Sequence, residues 1–273
     1  NEDKMAVKVS VGLALAALAL IAVLWAPWWL LAIILGAVVI SALVEFLMLS
    51  GKLNRLDIVG GGVIGAAIVG AALLGEEFIL MALTLGGVLG LLLVLFRPGD
   101  IKVSGLRASH LLTGLLYVAG LGALIMLMVN MEGSAGRHVL IMAAVVTWVN
   151  DSTAYLGGKA MGRHKMAPKV SPNKTWEGSF WGMVGSVGGA MIVWVLAFDS
   201  APQLLWSSLG FALVGGAFGQ VGDLAESMFK RTYAVKDSAS FLPGHGGFLD
   251  RIDAFLFVAP LAYFWFFKWF PIV

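Results

Sequence analysis

Nine apolar stretches, each long enough to cross a bilayer, follow one another along this chain of 273 residues. A crossing helix needs about 20 predominantly apolar residues, with a range of roughly 17–25. The stretches run over 6–25, 28–49, 57–74, 78–96, 108–129, 138–157, 179–198, 203–226 and 252–270. Only 12% of the residues are charged and the mean hydropathy is +0.93, whereas soluble domains carry roughly 25% charged residues. The fold class read from this pattern is an all-α polytopic membrane protein with about nine transmembrane helices. Residues 1–273 form a single integral membrane domain in this reading. Pro27, flanked by Trp25, Trp28 and Trp29, predicts a tight interfacial turn between the first two spans. Met5 is expected to be the native first residue, with residues 1–4 appended.

The lack of cysteine excludes disulfides and thiolate metal sites, and a net charge of +2 is too small to imply nucleic acid as a partner. The basic residues give an orientation. With a cytosolic N-terminus, 16 of the 18 Lys and Arg residues fall on the cytosolic side, and only Arg137 and Lys268 fall outside. Glycines four apart (Gly86/Gly90, Gly178/Gly182, Gly185/Gly189 and Gly215/Gly219) are expected to let helix backbones approach in lipid, and are compatible with a homodimer.

Charge divides the chain. Residues 1–140 are mostly plain spans, and 145–253 form a polar region with expected cytosolic loops 158–178 and 228–251. Asp151, within the sixth span, has to face a wet cavity, a cation or a partner, because a carboxylate there costs about 2.5–3.5 kcal/mol on insertion scales. Asn150, Ser152 and Thr153 are its candidate structural partners. The next loop carries five basic side chains and a histidine between Lys159 and Lys174. Such a run often binds only anionic headgroups. Ser171-Pro-Asn-Lys-Thr175, set directly before Glu177 and the seventh span, points instead to a phosphate site, with Thr175 or Ser171 as helix cap.

Further on, Asp223, Ser227 and Lys230 fall on one helical stripe, with Glu226 one turn from Asp223. Asp250 and Asp253, three apart, are placed at the start of the ninth helix and aimed at the same site. Hard carboxylate oxygens near basic groups favour Mg²⁺ carrying a phosphorylated substrate. Asp223 and Asp250 are the expected principal ligands, with Asp151, Glu226 or Asp253 as secondary ligands or orienting groups. Charge compensation at a helix start is the competing role for Asp253. Lys174, Lys230 and Arg231 are the expected phosphate clamps. His245 is read either as a phosphate contact or acid, or as a turn residue, and Gly246 and Gly247 permit close approach to a ligand.

The run Ser227, Lys230, Arg231, Lys236, Asp237, Ala239, Leu242, Pro243, His245, Gly246, Gly247, Asp250, Arg251 and Asp253 falls on the signature of the phosphatidate cytidylyltransferases, and the chain resembles that family. Asp151–Tyr155 and Ser171–Gly178 also look like its bacterial members, whereas the N-terminal half is similar only as hydrophobic spans. The resemblance implies Mg²⁺-dependent attack of phosphatidic acid on the α-phosphorus of CTP, giving CDP-diacylglycerol and pyrophosphate. It implies catalytic roles for Asp151, Asp223, Asp250, Lys230 and Arg231. It implies substrate contacts from Ser171, Lys174, Thr175, Glu177, Lys236, His245, Gly246, Gly247 and Arg251. It also implies a bacterial cytoplasmic membrane, with the site facing the cytosol. The competing readings are a CTP-dependent lipid-alcohol kinase of the polyprenol type, a transporter of an anionic metabolite with Asp151 and Asp223 at coupling-ion sites, and a structural scaffold.

Overall fold

Pro27 separates two helices, α1 (Ala16–Trp25) and α2 (Trp28–Leu49), because its ring cannot extend the first and its φ of −59° suits the start of the second. The computed structural model describes residues 16–96, 100–131, 133–235 and 247–272. The remaining helices are α3 (Arg55–Ala71), α4 (Glu76–Leu95), α5 (Ile101–Val129, widened to a π turn over Leu115–Gly120), α6 (Ala135–Met161), α7 (Trp176–Ala197), α8 (Pro202–Thr232), the short α9 (Leu249–Ile252) and α10 (Phe255–Trp269). Six helices among the described residues, α2, α4, α5, α6, α7 and α8, are long and apolar enough to cross a membrane. The architecture is all-α and polytopic as expected, but the count of nine spans is not reached on length.

The helices run to and fro between two ends, and polar contacts mark both. At one end Asn54 and Asp57 form a capping box for α3, and the buried Asp57 pairs with Arg107 of α5 at 2.5 Å. At the other, Lys268 and Tyr263 of α10 bond Glu76 at the start of α4, and Asn130 donates to the Leu73 carbonyl. Arg137 lies at this second end too. Its guanidinium donates to the carbonyls of Val23, Leu24 and Ala26 at 2.7–3.2 Å and so satisfies the last turn of α1.

The boundaries depart from expectation where polar residues lie on helices. α5 starts at Ile101 rather than 108, capped by the Asp100 side chain on the Lys102 N–H. Arg107, expected at the surface, is therefore a buried helix residue with Asp57 as its counter-charge. α8 runs on to Thr232, past the expected end at 226. The ninth span is broken. Asp250 lies on the separate α9, and Asp253 lies at its C-terminal cap, ahead of α10. The loop after α6 also holds an antiparallel hairpin that the all-α reading missed, β1 (Lys165–Ala167) and β2 (Ser171–Thr175), with Lys165 opposite Thr175 and Ala167 opposite Ser171.

Glycines bring the C-terminal helices together. A Cβ on Gly178 of α7 would sit 2.8 Å from the Ala154 carbonyl oxygen of α6, and one on Gly182 would sit 2.8 Å from Asn150 Oδ1. Gly189 faces Val145, Gly86 faces Ile64, and Gly219 faces Val258 of α10, so the packing role expected of these glycines holds. At Gly215 the nearest atoms a Cβ would meet, at 3.2–3.5 Å, belong to the Phe211 ring of the same helix. The closely seated α6–α7 pair, with α8 against it, forms the frame on which the polar groups stand.

Candidate active site

A buried amide network fixes α6, α7 and α8 to one another beside the polar region. Asn150, 1% exposed, donates to Ser186 Oγ (2.8 Å) and the Gly216 carbonyl (3.3 Å). Gln220 of α8 donates to Asn150 Oδ1 (3.2 Å) and the Ser179 carbonyl (3.1 Å), and accepts from the Ser179 hydroxyl. A buried amide left without partners costs about 1–3 kcal/mol, so this satisfied network favours one helix register. Thr153 bonds only within its own helix, to the Val149 and Asn150 carbonyls.

The network leaves two stripes facing a cavity of about 700 Å³. From α6 come Asp151, Ala154, Tyr155 and Gly158, and from α8 come Gln220, Asp223, Glu226 and Lys230. These spacings of three and four residues keep each set on one helix face. Lys174 and Thr175 of β2 close a third side, and Asp250 and Asp253 a fourth. The hairpin brings Lys174 over α8, where its ammonium lies 2.6 Å from Asp223 Oδ2. Lys230 is held between Glu226 (2.5 Å) and Asp250 (2.8 Å). Asp250 also accepts the Gly247 N–H at 2.7 Å. Burial pushes the Asp250 carboxyl up, but its hydrogen bonds, those from Lys230 and the Gly247 N–H among them, outweigh that and hold it below the usual carboxylate range.

Of the residues singled out in the sequence, Asp151, Lys174, Thr175, Asp223, Glu226, Lys230, Asp250 and Asp253 line this one cavity. Thr175, not Ser171, caps α7: its hydroxyl accepts the Gly178 N–H at 3.1 Å, and Ser171 is a strand residue opposite Ala167. Glu177 stands outside the cavity wall. It accepts the N–H groups of Arg163 (3.0 Å) and His164 (3.1 Å) and pairs with the His164 ring, thereby holding the hairpin to α7. Arg231 is exposed and donates to the Val170 carbonyl at 3.2 Å, so it braces the hairpin from α8 and does not line the cavity. Arg251 is half-buried on α9 beside the wall, and Gly247 contributes its backbone. Lys236, His245 and Gly246 lie outside the described residues. Asp253 serves the α10 start as well, accepting the Ala254 N–H at 2.7 Å while also lining the cavity.

Sequence reasoning passed over Gln220 and Glu45. Gln220 is one turn before Asp223, and Glu45 is a lone carboxylate in the second apolar stretch. The rule that an ionisable group within a span needs a reason flags Glu45 as readily as Asp151. The donor set also bears on metal. The five carboxylates offer hard oxygens without thiolate, and Glu226 Oε1 is buried without a hydrogen-bond partner. This chemistry suits a divalent cation such as Mg²⁺. Among the described residues no three Asp, Glu or His side chains are gathered closely enough to hold one. Asp223 and Asp250 instead spend an oxygen each on a lysine.

The arrangement presents Lys174 and Lys230 to a polyanion, with the five carboxylates around them. A phosphatidate cytidylyltransferase of Staphylococcus aureus (strain COL) is 42% identical to the chain over 160 residues, which cover 59% of each protein. The same-named protein of Staphylococcus saprophyticus subsp. saprophyticus is 41% identical over 161 residues, again 59% of each. That of Staphylococcus haemolyticus (strain JCSC1435) is 45% identical over 128 residues, covering 47% of this chain and 48% of the relative. The matched part is thus less than two-thirds of these relatives' length. A family-wide model extends further, matching residues 6–269 and so taking in both the apolar N-terminal helices and the whole cavity, and on that breadth the chain belongs to the cytidylyltransferase family.

Proposed function

We propose that the chain transfers a cytidylyl group from CTP to phosphatidic acid at the membrane surface, forming CDP-diacylglycerol and releasing pyrophosphate. The observation that carries this reading is the single cavity in which Asp151, Asp223, Asp250 and Asp253 face Lys174 and Lys230. Such a site suits two anionic reactants that have to be brought together against their mutual repulsion. Lys174 and Lys230 turn from their carboxylates to the phosphates and hold the attacking lipid phosphate near the α-phosphorus. The capped start of α7 adds backbone N–H groups beside Thr175. No side-chain nucleophile is needed, because the lipid phosphate already carries the attacking oxygen. We further propose that Asp223 and Asp250 hold Mg²⁺, with Asp151, Glu226 or Asp253 beside them. Bound there, the metal neutralises the triphosphate and the charge that develops on the leaving pyrophosphate.

The test uses CTP labelled at the α- or the γ-phosphate, with phosphatidic acid in mixed micelles. Label at the α-phosphate enters lipid if the proposal holds. Entry of γ-label, or of neither, removes it, and γ-label reaching a lipid alcohol would mark a kinase.

The proposed membrane is the cytoplasmic membrane of a bacterium, with the cavity on the cytosolic side. The chain has no cysteine, so probes can be introduced singly. Ser134 and Lys169 are both exposed and lie toward opposite ends of the bundle. In intact cells, Ser134→Cys is expected to react with an impermeant maleimide and Lys169→Cys only after lysis. The opposite pattern would invert the orientation.

A further inference from the structure

Glu45 lies in the middle of the apolar N-terminal half, 7% exposed, on a helix that supplies no residue to the cavity wall. Its two oxygens are aimed at the far end of the sequence. Oε1 accepts the Phe248 N–H at 3.0 Å, and Oε2 accepts the Leu249 N–H at 2.8 Å. These are the amides of the N-cap and of the first residue of α9, and the residue after them is Asp250. A turn of helix only four residues long has little stability of its own. Its orientation is therefore set by what holds its ends. One end is held by Glu45, and Asp250 itself closes back on the Gly247 N–H.

The position of Glu45 is fixed by its neighbour. Phe46 is fully buried, stacks on His110 at 4.8 Å and meets Phe229 of α8 edge-on at 5.0 Å. His110 Nε2 lies 2.9 Å from the Phe46 carbonyl and so has to be the protonated nitrogen. The opposite nitrogen, Nδ1, is then an acceptor, and the Tyr233 hydroxyl donates to it at 3.0 Å. Tyr233 is the residue that ends α8. The chain that leaves α8 and the chain that enters α9 are thus both seated on residues of α2 and α5.

We infer that Glu45 is a positioning residue for the proposed reaction: it acts through α9 to hold the Asp250 carboxylate at the cavity. The inference rests on the proposed function and adds to it a residue from the half of the chain that carries no cavity carboxylate. Carboxylate bonds to two amides restrict α9 in a way that one amide oxygen cannot, since Gln in place of Glu offers a single acceptor. Partners of this outer kind commonly affect metal affinity by about 10–100-fold.

The test compares the wild-type chain with Glu45→Gln, which keeps shape and volume, and with Glu45→Asp, which keeps both acceptors on a shorter stem. Glu76→Gln, at the opposite end of the bundle, is the control. Amide hydrogen exchange over 247–253, measured in detergent without nucleotide or metal, is expected to be about 10- to 100-fold faster in Glu45→Gln and intermediate in Glu45→Asp. The Mg²⁺ concentration giving half of the metal-dependent thermal stabilisation is expected to rise about tenfold in Glu45→Gln and to stay unchanged in the control. Unchanged exchange in Glu45→Gln overturns the inference. So does faster exchange with unaltered Mg²⁺ dependence, because α9 would then not govern Asp250. A wild-type protein that forms no CDP-diacylglycerol but shows both effects would sink the proposed reaction and leave the role of Glu45 standing.

Discussion

Asp223→Asn is expected to lose nearly all CDP-diacylglycerol formation while remaining folded and membrane-inserted. The substitution keeps shape and one oxygen but removes the charge that the proposed Mg²⁺ needs. Loss of about 3–4 kcal/mol of transition-state stabilisation corresponds to roughly 10²–10³-fold in rate. Unfolding does not account for such a loss. The Asp223–Lys174 pair keeps 32% and 25% of its side-chain surfaces exposed, and pairs wetted to that degree contribute about 0–1 kcal/mol to stability. Asp250→Asn is expected to lose turnover similarly. Rates over a Mg²⁺ titration, alongside thermal unfolding, decide the point. Near wild-type turnover in either variant would take that aspartate out of the site and direct attention to Asp151 and Asp253.

Lys230→Met has a different signature, because it acts on stability as well as on binding. The Lys230 side chain is 14% exposed, and its ammonium lies between Glu226, whose side chain is 2% exposed, and Asp250, at 15%. Removing it leaves two buried carboxylates facing each other without a cation, and breaking a buried pair from one side costs about 3–5 kcal/mol. An apparent melting temperature lower by on the order of 10 °C is expected without Mg²⁺. Part of that loss should return when Mg²⁺ is added, since a cation on Asp250 relieves the same repulsion. Weaker use of CTP should accompany it, by about 1.5–3 kcal/mol for the lost charge-assisted bond. Lys174→Met should weaken CTP use by a similar amount with little change in melting temperature, because its pair is a quarter to a third open to water. Equal melting temperatures for Lys230→Met and wild type in metal-free buffer would show that the two carboxylates do not depend on Lys230.

The sequence carried most of the cavity and less of the scaffold. Asp151, Asp223 and Lys230 could be placed because an ionisable group on an apolar helix stands out, and because three- and four-residue spacing puts neighbours on one face. Thr175 and Ser171 could not be separated, since either hydroxyl suits a cap and only the hairpin shows which residue begins the helix. The hairpin itself escaped notice because strands of three and five residues offer too little periodicity to read. Arg231 looked like a phosphate ligand beside Lys230. One residue further on a helix is a rotation of about 100°, which turns it from the cavity to the hairpin. Arg107 and Glu45 were misjudged or passed over for one reason: their partners, Asp57 and the amides of Phe248 and Leu249, lie 50 and about 200 residues away in the chain. No local pattern reports contacts of that range.

The lysines of the cavity begin with carboxylate partners, so under the proposed function substrate entry would be an exchange of partners. If Lys174 alone moves to a phosphate, Asp223 is left as a bare anion beside an arriving polyanion. If Mg²⁺ alone arrives at Asp223, Lys174 is displaced as a bare cation next to the metal. Either half-exchange strands a charge, and only the double exchange leaves every charge matched. Nucleotide and metal should therefore bind with positive coupling, each raising the affinity of the other by the same factor. Under the proposed function, the resting ion pairs would favour the arrival of nucleotide and metal together over that of either alone.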